Sequence, residues 1–253
     1  MHIAIFDCLA ESIQGRTLPD MFRSLIERGF DDKKERFDPS CMPISYEIYN
    51  CIAEEFPTCF TEIDAIIVTG APNSAYDADA WIKKMHCVLR DGYNHHPKVK
   101  LFGVCFGHQT MASALLGDRG VLAEKNPKGW EIGVQRVDCA PEFLNHFPRF
   151  TNGDVTVQRS LQFIHQDHVV VPDGSLPPGW VIMGKNDMCE VQGLFQPNRV
   201  LTYQGHAEFD RHIAKAVLDM LDNPAWSGDD WQAADRIDNA DYFAGLLVEF
   251  LLG

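Results

Sequence analysis

The sequence predicts an α/β protein with a mostly parallel central sheet flanked by helices. One observation is a set of short, uninterrupted apolar runs, such as Ala65–Val68 and residues 101–104, which are typical of strands buried on both faces. A second is that helical patterns separate these runs, as expected when crossover helices cover a parallel sheet. A third is a change after Val121, where short strands and turns replace this alternation. We therefore expect a strand-rich insertion ahead of the last strand.

The first half of the chain supplies most of the predicted sheet. Strands are assigned where an apolar run is bounded by turn-forming residues, as at Ala65–Val68, which Thr69 and Gly70 close. Helices are assigned where apolar residues recur at three- and four-residue spacing. In chain order, these patterns predict a strand at 2–6, a helix at 18–28, strands at 43–49 and 65–68, a helix at 80–90, a strand at 101–104 and a helix at 109–116.

The second half of the chain begins with the strand-rich region and ends in helices. After Val121, short apolar runs are separated by Gly, Pro, Asn and Asp, which is typical of strands joined by turns. We find no repeat, low-complexity segment or linker, so we expect a single domain over residues 1–253. The predicted strands lie at 130–137, 155–164, 180–184, 191–195 and 200–203, and the predicted helices lie at 212–221 and 242–252.

Composition restricts the class of protein. A chain of 253 residues with 45% apolar residues can bury a full core. Its formal net charge of −14 repels phosphate backbones and anionic membrane surfaces, so we expect neither nucleic acid nor a membrane as a partner. We find no apolar run of membrane-spanning length and no amino-terminal targeting segment. The 8 cysteines contain no Cys-x-x-Cys pair, which favours reduced thiols and hence a cytoplasmic location.

Residues 103–109, Gly-Val-Cys-Phe-Gly-His-Gln, lie where a buried strand is predicted to end and a helix to begin. A cysteine between two glycines at such a junction has the form of a nucleophile elbow with sulfur in place of oxygen. Glycines are needed because flanking side chains would clash in so tight a turn. The positive end of the following helix favours the thiolate, the form that attacks carbonyls. Cys105 is therefore a candidate nucleophile, and the alternative is a buried structural thiol.

A second segment, residues 205–208, offers the base that such a nucleophile needs. The sequence Gly-His-Ala-Glu follows the apolar residues 200–203, so His206 is predicted at the carboxyl end of a strand. One ring nitrogen of His206 would face the sulfur of Cys105 and the other would face Glu208. The alternatives are a core histidine, and a glutamate that stabilises the start of the next helix. Pairing the two segments is a prediction about folding, because their spacing alone does not establish it.

Together the two segments resemble the class I glutamine amidotransferase family, whose motifs are Gly-x-Cys-x-Gly-x-Gln and a later Gly-His-Pro-Glu. Ala207 stands where the second motif has proline, which leaves both chemical residues of that motif in place. The resemblance implies a flavodoxin-like architecture with a strand-rich insertion. It also implies a catalytic triad of Cys105, His206 and Glu208.

The resemblance assigns further groups around the reacting carbonyl. Backbone amides of Phe106 and of Gly70 or Ala71 would bind the oxyanion of the tetrahedral intermediate. Gln109 would contact the glutamyl part of the substrate. The segment at 69–72, Thr-Gly-Ala-Pro, keeps one glycine where many relatives have two, which puts in question the shape of this loop and the access of the leaving group.

The implied activity is hydrolysis of a γ-glutamyl amide through a thioester, and we expect neither a metal nor another cofactor. The segment after Glu208 contains no ATP-binding motif, so we expect no attached synthetase. The chain looks most like the γ-glutamyl peptidase branch, whose substrates are small γ-glutamyl peptides such as glutathione conjugates. Two alternatives stay open: a glutaminase subunit that delivers ammonia to a separate synthetase, and a non-catalytic regulatory or binding protein on the same scaffold.

Three other patterns carry less weight. Residues 179–186 nearly match a phosphate-binding loop, but a strand pattern fills them and no helix is predicted after them. Residues 165–168, His-Gln-Asp-His, suggest a metal site, yet no second ligand pair of suitable spacing exists, so a hydrogen-bonded turn near the pocket is favoured. The candidates for binding a substrate carboxylate, which the sequence does not rank, are Arg119, Lys125, Lys128 and Arg136.

Overall fold

A computed structural model of the protein describes residues 1–31, 43–148, 158–224 and 226–253. The strands are β1 (His2–Asp7), β2 (Ser12–Ile13), β3 (Arg16–Thr17), β4 (Ser45–Asn50), β5 (Ala65–Val68), β6 (Lys100–Val104), β7 (Leu122–Lys125), β8 (Glu131–Cys139), β9 (Gln158–His165), β10 (Asp167–Val170), β11 (Val181–Ile182), β12 (Gly184–Lys185), β13 (Leu194–Gln196) and β14 (Val200–Tyr203). The helices are α1 (Leu18–Asp31), α2 (Ala80–His95), α3 (Phe106–Leu116), α4 (Pro141–Asn145), α5 (Arg211–Leu221), α6 (Gly228–Ala233) and α7 (Ala240–Leu252), with a 3-10 turn at Gly117–Arg119.

The central sheet is mostly parallel, as predicted. Within the described residues it contains 7 strands in the order β11-β13-β14-β6-β5-β1-β4. The strands from β14 to β4 pair in parallel, and β13 and β11 add an antiparallel edge. The carboxyl ends of β6 and β14 therefore lie side by side, because these two parallel strands are neighbours.

Helices cover both faces of this sheet, which explains the uninterrupted apolar runs. Along β1, Ile3 and Ile5 pack on the face covered by α1 and α7, whereas Ala4 and Phe6 pack on the face covered by α2 and α3. The same alternation holds in the other central strands, since successive side chains of a strand point to opposite faces. The middle of each central strand is therefore mostly apolar on both faces.

The strand-rich insertion forms two small antiparallel sheets beside the central one. Strand β8 pairs with both β9 and β12, and β7 pairs with β10. The predicted strand at 155–164 corresponds to β9, and its first residues, 155–157, lie outside the described residues. Among the described residues, no helix is long and apolar enough to cross a membrane.

Two predicted strands of the insertion differ from the structure. The strand predicted at 180–184 is divided: β11 joins the central sheet, whereas β12 pairs with β8. Between them, the Met183 amide donates to the Gly193 carbonyl and the Met183 carbonyl accepts from Ala140. The strand predicted at 191–195 begins only at Leu194, because the Gln192 amide donates to the Gly184 carbonyl instead of pairing along β14. These partners are distant in sequence, so a local pattern does not show them.

Candidate active site

Cys105 lies between the last residue of β6 and the first residue of α3. Its backbone adopts φ 52° and ψ −109°, a conformation that non-glycine residues rarely take. The Cys105 amide donates to the Tyr203 carbonyl at 2.9 Å, which holds the strained turn against the neighbouring strand β14. Strain of this kind persists only where the surrounding structure imposes it, and it is concentrated at functional sites.

The glycines on either side of Cys105 are required by close backbone packing. A Cβ atom on Gly103 would lie 2.6 Å from the Gly107 carbonyl oxygen. A Cβ atom on Gly107 would lie 2.2 Å from the Val68 carbonyl oxygen on β5. Because no side chain fits at either position, the turn can lie directly against the sheet and raise Cys105 above its carboxyl edge.

His206 follows β14 and lies beside Cys105. Its amide donates to the Gln162 carbonyl on β9 at 2.7 Å, so the segment is held between the central sheet and the insertion. The imidazole lies close enough to the side chain of Cys105 for the two groups to interact electrostatically. Its Nδ1 lies 2.7 Å from Oε1 of Glu208, which leaves Nε2 as the ring nitrogen available to the sulfur.

The three side chains form a buried row. His206 is 4% exposed and Glu208 is 2% exposed. Burial alone would lower the pKa of His206, but the Glu208 carboxylate and Cys105 together raise it to about 10. The imidazole therefore carries its proton at neutral pH, between a carboxylate on one side and a sulfur on the other. A proton in this position can be delivered to a group that binds at Cys105.

The two backbone segments that are predicted to bind the oxyanion lie next to Cys105. A Cβ atom on Gly70 would lie 3.3 Å from Cε1 of His206 and 4.0 Å from Cβ of Cys105, so the loop after β5 borders both residues. Ala71 follows Gly70 in this loop and is half-buried. Phe106 is the first residue of α3, and the first amides of a helix have no partner within the helix.

A comparison of the sequence with known protein families identifies the family of this chain. The family model for class I glutamine amidotransferases matches residues 34–218, which is more than half of the chain. The chain belongs to the class I glutamine amidotransferase family.

Relatives within and near this family agree with the match. A putative glutamine amidotransferase-like protein of Schizosaccharomyces pombe is 30% identical over 240 residues, which cover 92% of this chain and 90% of the relative. Gamma-glutamyl peptidase 3 of Arabidopsis thaliana is 28% identical over 182 residues, which cover 70% of this chain and 68% of the relative. The structure of a glutamine amidotransferase from Thermotoga maritima aligns with a TM-score of 0.71 at 15% identity and covers 100% of this chain and 98% of that one. At that identity the likeness shows the fold alone.

Gln109, the last residue of the first family motif, is turned toward the insertion. Its Nε2 donates to the Asp167 carbonyl at 2.9 Å and to Oε1 of Gln204 at 3.1 Å. Its amide donates to the Cys105 carbonyl, so Gln109 lies one helical turn after Cys105. The side chain thus joins the start of α3 to the turn that follows β9.

A second buried acid–histidine pair, which the sequence did not reveal, lies next to this turn. Nε2 of His165 is 3.0 Å from Oε2 of Glu131, and Gln192 donates to the same oxygen at 2.9 Å. Asn186 donates to the other carboxylate oxygen. Burial alone would raise the pKa of Glu131, but its bonds to His165 and the two amides hold this pKa below its usual value. The hydrogen-bonded turn favoured for residues 165–168 is confirmed.

The cationic candidates occupy different surroundings. Lys125 on β7 lies opposite Asp167 on β10 in the register of this strand pair. Lys128 donates to the Asp187 carbonyl at 2.6 Å. Arg136 lines a surface cavity of about 900 Å³ on β8 and β9, and Arg119 lies in the exposed 3-10 turn.

Proposed function

We propose that the protein hydrolyses γ-glutamyl amide bonds through a γ-glutamyl thioester on Cys105. The observation that carries this proposal is the buried row of Cys105, His206 and Glu208 above the carboxyl edge of a parallel sheet, in which Glu208 holds the His206 ring beside Cys105. A cysteine beside a protonated imidazole is an activated nucleophile, because the thiolate attacks carbonyls while the thiol does not.

The first half of the proposed reaction forms the thioester. The Cys105 thiolate attacks the amide carbonyl carbon, and a C–S bond forms as the carbonyl oxygen takes the negative charge. Nε2 of His206 then gives its proton to the amide nitrogen, the C–N bond breaks, and the amine leaves. Glu208 keeps the imidazole oriented and stabilises its charge before this transfer.

The second half releases the γ-glutamyl group. His206, now neutral, takes a proton from water while the water oxygen attacks the thioester carbonyl. The C–S bond breaks, glutamate leaves after its new carboxyl group loses a proton to solvent, and the thiolate–imidazolium pair is restored. In both halves, the amides of Phe106 and of the Gly70–Ala71 segment donate to the oxyanion, and removal of one such donor typically costs ~3 kcal/mol of barrier.

Two observations support a γ-glutamyl peptide as the substrate. The Arabidopsis thaliana proteins named gamma-glutamyl peptidases 3, 4, 5 and 2 are 28%, 25%, 26% and 22% identical to this chain over their aligned regions. A γ-glutamyl peptide presents the same carbonyl as the glutamine side chain with a larger amine attached. The single-glycine loop at Gly70 borders the reacting atoms, where that amine leaves.

The test is a substrate panel of glutamine, glutathione, an S-substituted glutathione and γ-glutamyl dipeptides, with glutamate, ammonia and free amine measured separately. The proposal expects release of the amine from the peptides, and loss of that release in Cys105→Ser. Ammonia release from glutamine alone would instead identify a glutaminase that serves a separate synthetase. Failure to turn over any of these substrates, together with failure of a glutamine-like electrophile to label Cys105, would identify a binding protein.

A further inference from the structure

Asp167, the first residue of β10, connects the loop after β5 with the insertion. Its carboxylate accepts hydrogen bonds from the Ser74 hydroxyl at 2.5 Å and from the Tyr76 hydroxyl at 3.1 Å. Ser74 and Tyr76 belong to the segment that begins at Gly70, which we call the oxyanion loop (residues 69–77). Hydrogen bonds to a carboxylate are about twice as strong as neutral ones, so this contact is a firm attachment.

The backbone of Asp167 is held from the opposite direction. Its carbonyl oxygen accepts from Nε2 of Gln109 at 2.9 Å and lies 2.8 Å from Nδ1 of His165. The first contact ties Asp167 to α3, one turn from Cys105. One residue thus contacts the oxyanion loop through its side chain and the nucleophile helix through its backbone.

The ring of His165 holds the Asp167 carbonyl in place. Its Nδ1 faces a carbonyl oxygen, which only accepts, so Nδ1 carries a hydrogen. Its Nε2 lies 3.0 Å from the Glu131 carboxylate. Because both ring nitrogens are held by hydrogen-bond partners, the imidazole cannot turn without breaking one of these contacts. Glu131 and His165 therefore fix the position of the Asp167 carbonyl.

The oxyanion loop needs such an attachment. Between β5 and α2 it has no regular secondary structure, and Ser74 bonds otherwise to Asp77 of the same loop. Tyr76 is 52% exposed, so packing alone holds it weakly. A displacement of about 1 Å in a catalytic group can lower the rate by about 100-fold. We therefore expect the rate to depend strongly on the position of the Gly70 amide.

We propose that Asp167 is a positioning residue that sets the distance between the oxyanion loop and Cys105 by binding Ser74 and Tyr76. The inference rests on the proposed function, in which amides of this loop bind the oxyanion. It assigns a role to three residues that lie outside the Cys105–His206–Glu208 row. It also gives the buried Glu131–His165 pair a function in the site, as the support on which Asp167 rests.

The test compares two reagents that alkylate Cys105 in different ways. A glutamine analogue with a chloromethyl ketone in place of the amide carries a carbonyl oxygen for the oxyanion loop to bind, whereas iodoacetamide reports on the thiolate alone. In Asp167→Asn, we expect inactivation by the chloromethyl ketone to slow by about 10- to 100-fold. The rate of labelling by iodoacetamide should stay within about twofold of the wild-type rate, because the substitution does not touch the Cys105–His206 pair. In turnover, kcat should fall while KM changes much less.

A second variant keeps the test decisive if Asp167→Asn fails to fold. Tyr76→Phe removes one exposed hydroxyl. We expect it to slow inactivation by the chloromethyl ketone by about threefold to tenfold, which corresponds to the loss of one hydrogen bond. Asp173→Asn, an exposed aspartate shortly after β10, is the matched control and should behave like the wild type.

The outcomes separate the two proposals. If the wild type is labelled by the chloromethyl ketone and both variants match it, the role of Asp167 is wrong and the proposed function stands. Equal slowing of both reagents would also contradict the positioning role, because it would show damage to the thiolate itself. If the chloromethyl ketone fails to label the wild type while iodoacetamide succeeds, the proposed function itself is wrong.

Discussion

The imidazole of His206 lies flat on the ring of Phe209, with the ring centroids 4.1 Å apart and the planes inclined by 3°. The same imidazole is held at Nδ1 by Glu208, two residues along the chain. Stacking fixes the plane of the ring and the carboxylate fixes its rotation, so Nε2 has one direction, toward Cys105. The short segment after β14 therefore contains the proposed base, the acid that orients it and the ring that supports it.

Cys105→Ser should abolish turnover and leave the fold intact. The exchange is nearly isosteric, but a hydroxyl is a much poorer nucleophile without a stronger base. Turnover measured with the best substrate, together with the unfolding midpoint in urea, checks this expectation. Cys87→Ser, an exposed cysteine on α2, is the control and should keep wild-type activity. Near-native activity in Cys105→Ser would show that another group is the nucleophile.

The pH dependence of kcat/KM should show an alkaline limb near pH 10. Because the pKa of His206 is raised to about 10, the ring keeps the proton needed by the leaving amine until that pH and loses it above. Glu208→Gln removes a charge that raises this pKa, so its limb should move to lower pH with a moderate loss of rate. His206→Ala should lose most of the rate, about 100-fold or more. An alkaline limb near pH 6.5 in the wild type would contradict the raised pKa of His206.

Gly107→Ala should lower the free energy of unfolding by about 1–3 kcal/mol, the typical cost of overpacking. The added Cβ would lie 2.2 Å from the Val68 carbonyl oxygen, so α3 or β5 must shift. The control is Gly117→Ala at the end of the same helix, where nothing lies within 4 Å and the backbone is already α-helical. The free energy of unfolding of both variants is measured in urea. Equal values for the two variants would show that the turn tolerates a side chain at Gly107.

His165→Ala should lower the free energy of unfolding by about 3–5 kcal/mol at neutral pH, because it removes the ring that is hydrogen-bonded to the buried Glu131 carboxylate. Since the folded-state pKa of Glu131 is lowered, the pair's contribution is present above the usual glutamate pKa and is lost as pH falls through the folded value. The difference between variant and wild type should therefore shrink in acid. Glu190→Gln, which breaks the exposed Lys185–Glu190 pair, should cost less than about 1 kcal/mol. A comparable loss in both variants would contradict the importance of the buried pair.

Local sequence patterns predicted the parts of this protein that local physics determines. The elbow at Cys105 follows from two glycines and a strand–helix junction, and the central strands follow from apolar runs such as Ala65–Val68. The segment around His206 was assigned to a strand end for the same reason. Each of these features is set by residues close together in the chain.

Contacts between distant segments explain what the sequence did not predict. In the sequence, Glu131 looks like any other polar residue of a strand. Its role becomes visible only in the structure, where β9 places His165 opposite it. Ser74 and Asp167 are far apart in sequence, and their hydrogen bond depends on how the insertion folds over the oxyanion loop. The division of residues 180–184 between two sheets has the same origin, because β11 pairs with β13 whereas β12 pairs with β8, and these partners lie on different elements.

The most direct test of the thioester is its partition between water and hydroxylamine. Glutamine and a γ-glutamyl dipeptide are turned over separately in the presence of hydroxylamine, and the ratio of γ-glutamyl hydroxamate to glutamate is measured for each. A shared acyl-enzyme on Cys105 predicts the same ratio from both substrates and neither product with Cys105→Ser. A ratio that depends on the leaving amine, or hydroxamate formation that persists in Cys105→Ser, would contradict the account.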